Sequence, residues 1–243
     1  MRNIFYIARK ELKMIFISPV AYAVALAIFL IMGILFYSNV LGAVYQQVAP
    51  SLQIVIGPLA TILLFTIPAI TMRTVADEQR TGTLELLLTA PVRDWELVIG
   101  KWLGSLCFVL IVLLVTWVYP IILNNMVDPG IDQGVLVSGY LGLFLMFAAF
   151  LAVGVAVSSL FSNQIAAFFT TLGIILVLWM IGFPSTVMGA AGGGLLKYLD
   201  MSEHFYPTFY QGIIELKDII YYLSVSALAL FLGSISVETR RWR

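Results

Sequence analysis

Residues able to do chemistry are few in this chain. Its 243 residues include one histidine, His204, and one cysteine, Cys107. That supply excludes an intrachain disulfide or a thiolate cluster and does not favour a metal centre built from histidines. His204 stands beside Glu203 and reads as an interface histidine. Ser, His and Asp do not cluster as hydrolysis requires. Gly100-Lys101 is followed by Trp102 and lacks the upstream glycine of a G-x-x-x-x-G-K-[ST] phosphate loop, so ATP is not bound by that route. No catalytic residue and no metal ligand are therefore nominated. The chemistry left to the polar residues is electrostatic. Nine of the 26 charged residues fall between Arg73 and Lys101: Arg73, Asp77, Glu78, Arg80, Glu85, Arg93, Asp94, Glu96 and Lys101. The middle of that stretch is nevertheless the apolar run Leu84–Leu88, broken only by Glu85. A charged loop with an apolar helix inside it has the character of a docking element.

The elements around this loop follow from composition. The chain is 61% hydrophobic and 11% charged, against about 25% charged for an average globular protein. A soluble domain of this length could not hide so much apolar surface, so the expectation is an all-α polytopic membrane protein. The formal net charge is zero, which gives no bulk attraction to nucleic acid. Six uncharged apolar runs, Val20–Leu41, Leu52–Met72, Trp102–Asn124, Val135–Leu160, Ile165–Phe183 and Ile219–Val237, each approach the ~20 residues a helix needs to cross hydrocarbon. Pro58 and Pro68 in the second are tolerable in a bundle, with a kink as the expected result. Eleven of the 13 basic residues lie in the N-terminus, the 73–101 loop and the tail. The loops around 43–51 and 125–134 have none. The basic side is the cytosol, so six spans put both termini inside. One membrane domain, 1–243, results: an interfacial helix at 1–17, spans within 20–72, a cytosolic loop at 73–101, spans within 102–183, an external segment at 184–218, a last span at 219–237 and a cytosolic tail at 238–243.

Within residues 1–17, Ile4, Ala8, Leu12 and Ile15 recur at helical spacing, with Arg9 and Lys13 on another face and Lys10 beside them. This predicts an amphipathic helix lying against membrane lipid, ended at Ser18-Pro19. The apolar run that follows is too long for the core of a cleaved signal peptide, roughly 7–15 residues. Ala148, Ala152 and Ala156 form a small-residue stripe, suited to intrachain packing or to a dimer seam. Residues 184–218 are too long for a plain connection. Gly192-Gly193-Gly194 predicts a bend, and the apolar residues before and after Pro207 predict two short re-entrant helices. His204, Phe205, Phe209 and Asp218 are the candidates there for an external gate or a platform for an extracytoplasmic partner; a segment that only seals the bundle is the alternative. No ionisable residue falls inside the six runs, which argues against an ion-coupled carrier.

Read closely, the central loop has its own punctuation. Asp77-Glu78-Gln79-Arg80 can continue the second span below the membrane, and Gly82 breaks it. Thr83 can cap a new helix with Glu85 in its first turn. Leu84, Leu87 and Leu88 share one face, and Pro91 ends the helix. Asp94 is a cap candidate for the next helix, with Glu96 in its first turn. A helix with that much leucine needs cover, from headgroups or from a groove on a protein.

The run Asp77-Glu78-Gln79-Arg80-Thr81-Gly82-Thr83-Leu84-Glu85-Leu86-Leu87-Leu88-Thr89-Ala90-Pro91-Val92, followed by Trp95-Glu96-Leu97-Val98-Ile99-Gly100-Lys101, resembles the signature loop of ABC-2 type transporter permeases, nearest the branch with gliding-motility and nitrous-oxide-reductase-maturation permeases. His204-Phe205, Gly212-Ile213-Ile214, Asp218 to Tyr222, and the terminus from Glu238 to Arg243 agree with it. Asp77-Glu78-Gln79 stands where the family often has paired glutamates and a basic residue. The resemblance implies a transmembrane permease subunit in a bacterial or archaeal plasma (inner) membrane. It implies a second permease copy or paralogue and two cytosolic ABC ATPase subunits as partners. ATP and magnesium would sit on the ATPase, and this chain would bind no cofactor. The N-terminal helix and Thr83–Ala90 would dock on the ATPase, with Glu78 and Arg80 bracing the loop. ATP-driven closure would then drive export of a substrate. The alternative is mechanical work on extracytoplasmic proteins through 184–218, with nothing translocated.

Overall fold

The computed structural model describes residues 2–83, 92–183 and 190–241. Every regular element among them is helical. The α-helices are α1 (Arg2–Ile17), α2 (Pro19–Tyr45), α3 (Gln53–Thr71), α4 (Ala76–Arg80), α5 (Asp94–Thr116), α6 (Val118–Met126), α7 (Gln133–Leu160), α8 (Gln164–Met180), α9 (Ala190–Leu199) and α10 (Leu216–Arg241), with 3-10 turns at Ser202–His204 and Phe209–Gln211. Five stretches are long and apolar enough to cross a membrane: Pro19–Tyr45, Gln53–Arg80, Asp94–Met126, Gln133–Leu160 and Leu216–Thr239. The fifth expected run forms α8, which is apolar but only 17 residues long.

α7 is the axis of the bundle. It packs against α3, α5, α8 and α10, and its residues from Leu145 to Val155 are all buried. Small residues make this possible. A Cβ on Gly139 would come within 2.2 Å of Ile56, and one on Gly154 within 2.2 Å of the Thr71 hydroxyl. The alanine stripe serves the same packing: Ala148 and Ala152 are buried, the Ala148 carbonyl accepts from Trp102 Nε1 at 2.9 Å, and Gly233 of α10 approaches Ala156. α2 is the contrast, with only Ala21, Ile28, Met32 and Val40 buried in its 27 residues.

Pro58 and Pro68 both lie inside α3, which runs on through each of them. The Ser18-Pro19 break is as expected, with the Ser18 hydroxyl accepting from Val20 N–H. The link between α7 and α8 is the short turn through Asn163, whose side chain caps α8.

Two expectations for 184–218 are corrected. Gly192, Gly193 and Gly194 do not bend the chain but lie within α9, flanked by the good helix formers Ala190, Ala191, Leu195 and Leu196. The second short helix expected after Pro207 does not form before α10. Phe209–Gln211 makes a single 3-10 turn, ended by Gly212 at a φ of 93° that a side chain would strain.

Candidate functional site

The chain segments gather at two ends of the bundle, and the charged end holds the densest polar structure. α5 starts earlier than its apolar run suggests. Arg93 is the N-cap, one residue before the expected Asp94, and Glu96 accepts from Arg93 N–H and from Asn3 Nδ2, both at 3.1 Å. Starting at 94 places Lys101 two turns inside the helix, where it is 2% exposed.

Lys101 joins three elements. Its ammonium lies 3.2 Å from Glu11 Oε2 of α1 and 2.8 Å from Glu78 Oε2 of α4, and it donates to the Thr74 carbonyl between α3 and α4. Two of these contacts, to Glu11 and to Thr74, are hydrogen bonds, and the third, to Glu78, is an ion pair. Both carboxylates are buried as well. Lys10 approaches the other oxygen of Glu78 at 3.9 Å from the exposed side. Burial, reinforced by Glu78, holds the Glu11 carboxyl above the ordinary carboxylate range, with the Lys101 ammonium opposing.

α1 reaches this lysine because α5 has no side chains in the way. Gly100 and Gly104 face α1: a Cβ on Gly100 would lie 2.7 Å from Ile7, and one on Gly104 would lie 2.6 Å from the Glu11 Cβ and 2.8 Å from the Ala8 carbonyl. Phe16 closes the far end of the contact edge-on to Phe108, with ring centroids 5.6 Å apart. Arg9, Lys10 and Lys13 are exposed, on the side away from α5. The amphipathic pattern expected of α1 is present, and its inner face packs on protein.

The α3–α4 junction is pinned to α7. Ser158 Oγ accepts from the N–H groups of Val75 and Ala76, both at 3.1 Å, and Gln79 Nε2 donates to the Ser159 carbonyl at 2.8 Å. Gln164 of α8 donates to Asp77. Of the two expected braces, Glu78 is engaged across elements. Arg80 is exposed and lies 3.8 Å from Asp77 of its own helix. Gly82 breaks the chain with a φ of 72°, and the Thr83 hydroxyl reaches back to the Thr81 hydroxyl and the Glu78 carbonyl. Leu84, Glu85, Leu87, Leu88 and Pro91 lie outside the described residues.

At the opposite end, His204, Phe205, Phe209 and Asp218 do come together, but inward: none is more than 4% exposed. His204 pairs with Asp218, Nδ1 to Oδ1 at 2.7 Å, and its neighbour Glu203 pairs instead with Lys197. His204 Nε2 lies 2.9 Å from the Tyr198 carbonyl, and the Tyr221 ring stacks on the imidazole at 3.8 Å. A carbonyl only accepts, so Nε2 donates, and the Nδ1–Asp218 contact holds one further proton. Ser138 donates to the Phe209 carbonyl at 2.9 Å, and Tyr222 donates to the Met201 carbonyl at 2.8 Å. The surface of this segment consists of other side chains, among them Leu195, Tyr198, Ile213, Ile214 and Leu216.

Sequence reasoning missed Glu11 and treated Lys101 as the edge of a loop. Its statement that the runs hold no ionisable group is true of the runs themselves; α5 extends beyond its run to carry Lys101 inside, and the short α4 after α3 carries Glu78. The available signal was Gly100-x-x-x-Gly104, a small-residue spacing that marks a close helix contact.

Buried ion pairing at one end, a buried polar seam at the other and long apolar helices between them define a multi-pass helical membrane protein. Residues 40–199 match the model of the ABC-2 family transporter proteins, and the chain belongs to that family. The family is one of transporter membrane components, normally non-catalytic, that work with an ABC ATPase partner and in a dimeric arrangement in general. No curated protein matches the chain.

Proposed function

We propose that this chain is the permease subunit of an ATP-driven ABC-2 transporter, converting ATP hydrolysis by a cytosolic partner ATPase into export of a substrate. The observation that carries the reading is the buried contact of Lys101 with Glu11 and Glu78. It ties the interfacial helix, the end of α3–α4 and the start of α5 into one unit. Residues 81–93 connect α4 to α5 within this unit, so a push on that loop is delivered to α1, α3 and α5 together. The chain's own residues offer no P-loop, so ATP and magnesium belong to the partner.

In this reading the charged end faces the cytosol, α8 makes the sixth crossing, and both termini are inside. Thr83–Ala90, with Leu84, Leu87 and Leu88, is the coupling helix that fits a groove on the ATPase. Arg9, Lys10 and Lys13 face the same partner or the headgroups. A second copy or a paralogue completes the transporter in a bacterial or archaeal cell membrane.

The test is co-purification with the ATPase and its stimulation by the permease. Replacing Leu84, Leu87 and Leu88 by Asp is expected to abolish both while leaving the permease folded. Unchanged association would overturn the assignment of the docking surface. ATPase stimulation without any transported substrate would redirect the output to mechanical work across the membrane.

A further inference from the structure

The Lys101 contact forms one wall of a cleft that the coupling proposal does not use. A cavity of about 370 Å³ lies between α1, the start of α2, the end of α3 and α4, within the ~300–1,000 Å³ typical of small-molecule sites. Its lining changes character along its length. Val20, Ala21, Val24, Ile70 and Phe108 make the apolar part, and Lys10, Arg73, Glu11, Asp77 and Glu78 with the hydroxyls of Ser18 and Thr81 make the polar part.

The polar part carries two cations and three carboxylates, and the carboxylates are met largely by groups outside it. Glu11 and Glu78 are held by Lys101, and Asp77 by Gln164 and Arg80. Arg73 is exposed, and among the described residues its guanidinium meets no carboxylate, only the Ser18 hydroxyl at 3.4 Å across the mouth of the cleft. Lys10 reaches Glu78 only at 3.9 Å and is otherwise open to solvent. Two cations therefore flank the opening, Lys10 in a long ion pair with Glu78 and Arg73 with no carboxylate against it among the described residues. A guanidinium offers paired donors to phosphate oxygens, and an ammonium adds charge. The apolar part adjoins α2, most of whose surface is open to its surroundings.

We propose that this cleft binds an anionic phospholipid, with the headgroup phosphate between Arg73 and Lys10 and the start of one acyl chain against Val24, Ile70 and Phe108. A free phosphate would use the cations and leave the apolar walls exposed; a lipid satisfies both. Basic pockets between membrane helices on the cytosolic side recognise lipid headgroups by this chemistry. Occupancy would brace α1 against α3 beside Glu11 and Glu78, in the unit that the coupling loop moves.

The experiment uses the full chain in a neutral detergent and needs no ATPase, so it stands or falls separately from the coupling proposal. Binding of dioctanoyl phosphatidylglycerol is titrated by native mass spectrometry, with dioctanoyl phosphatidylcholine and inorganic phosphate as comparisons. Saturable binding of phosphatidylglycerol is expected, at least tenfold tighter than phosphatidylcholine and not displaced by millimolar phosphate. Arg73→Gln with Lys10→Gln should weaken it at least tenfold; both side chains are exposed, so the variant keeps the fold. Val24→Phe, which narrows the apolar part while keeping both cations, should weaken it as well. Equal binding of the two lipids, no effect of the charge variants, or displacement by phosphate alone overturns the proposal.

Discussion

Gly104 lies so close under Glu11 that a single added carbon would stand 2.6 Å from the Glu11 Cβ. The approach of α1 to α5 is set by the absence of a side chain at that position. Gly104→Val should therefore push α1 outward at a cost of about 1–3 kcal/mol, the usual penalty for overpacking. Trypsin cleavage at the exposed Arg9, Lys10 and Lys13 measures it: the variant should be cut faster there, with no change at sites in the tail.

The charge arithmetic at Lys101 predicts unequal costs. One ammonium serves two buried carboxylates. Lys101→Met strands both acids and should cost about 3–5 kcal/mol, the range for breaking a buried pair by removing one partner. Glu11→Gln leaves Lys101 its contact with Glu78 and should cost about 1 kcal/mol, the order of one hydrogen bond. Thermal denaturation in detergent, comparing the two variants, gives the order; equal losses would mean that the three groups do not act as a unit.

Glu11 also gives a pH dependence of definite sign. Its carboxyl holds its proton more tightly when docked than when free, because burial raises its pKa. The docked state then gains stability from Glu11 fully below the ordinary carboxylate value and loses it as pH rises through the raised one. Hydrogen exchange of the α1 amides, corrected for intrinsic rates, should show docking loosen across that window on alkalinisation. Glu11→Gln should flatten the change.

Ser158 offers a cleaner test of the α3–α4 junction. Its hydroxyl accepts from two N–H groups that have left the α3 ladder. Ser158→Ala leaves Val75 and Ala76 without that acceptor, at a cost of roughly 1–3 kcal/mol. The expected outcome is a lower melting temperature together with weaker ATPase stimulation per folded molecule, since α4 carries the loop.

Asp218→Ala should behave differently. It removes the partner of His204 Nδ1 at the far end of the bundle and should cost roughly 1–3 kcal/mol for an orphaned buried ring nitrogen. ATPase binding should survive in the folded fraction, measured by co-purification, because His204 and Asp218 lie at the end remote from the coupling loop.

What was legible in the sequence was whatever depends on local pattern. Apolar length marked the helices, basic residues marked one end, and Ser18-Pro19 and Gly82 marked breaks that the structure contains. What depends on distant partners was not legible. Glu11 looks like one polar residue in an amphipathic helix until Lys101, 90 positions away, is placed against it. Glu203 seemed the natural neighbour of His204, yet the helical start at 216 puts Asp218 there instead. Gly192–Gly194 suggested a bend by propensity alone, and the surrounding helix overrode it.

The separation between Glu11 and Lys101 has a consequence for how the molecule is made. At about 5–20 residues per second, the ribosome adds the intervening 90 residues over roughly 5–20 s. During that interval α2 and α3 are complete, while the glycine-lined face of α5 that receives α1 does not yet exist. Through that wait the apolar stripe of α1 lacks the protein face that covers it in the finished fold, so α1 is the last of the early helices to find its place.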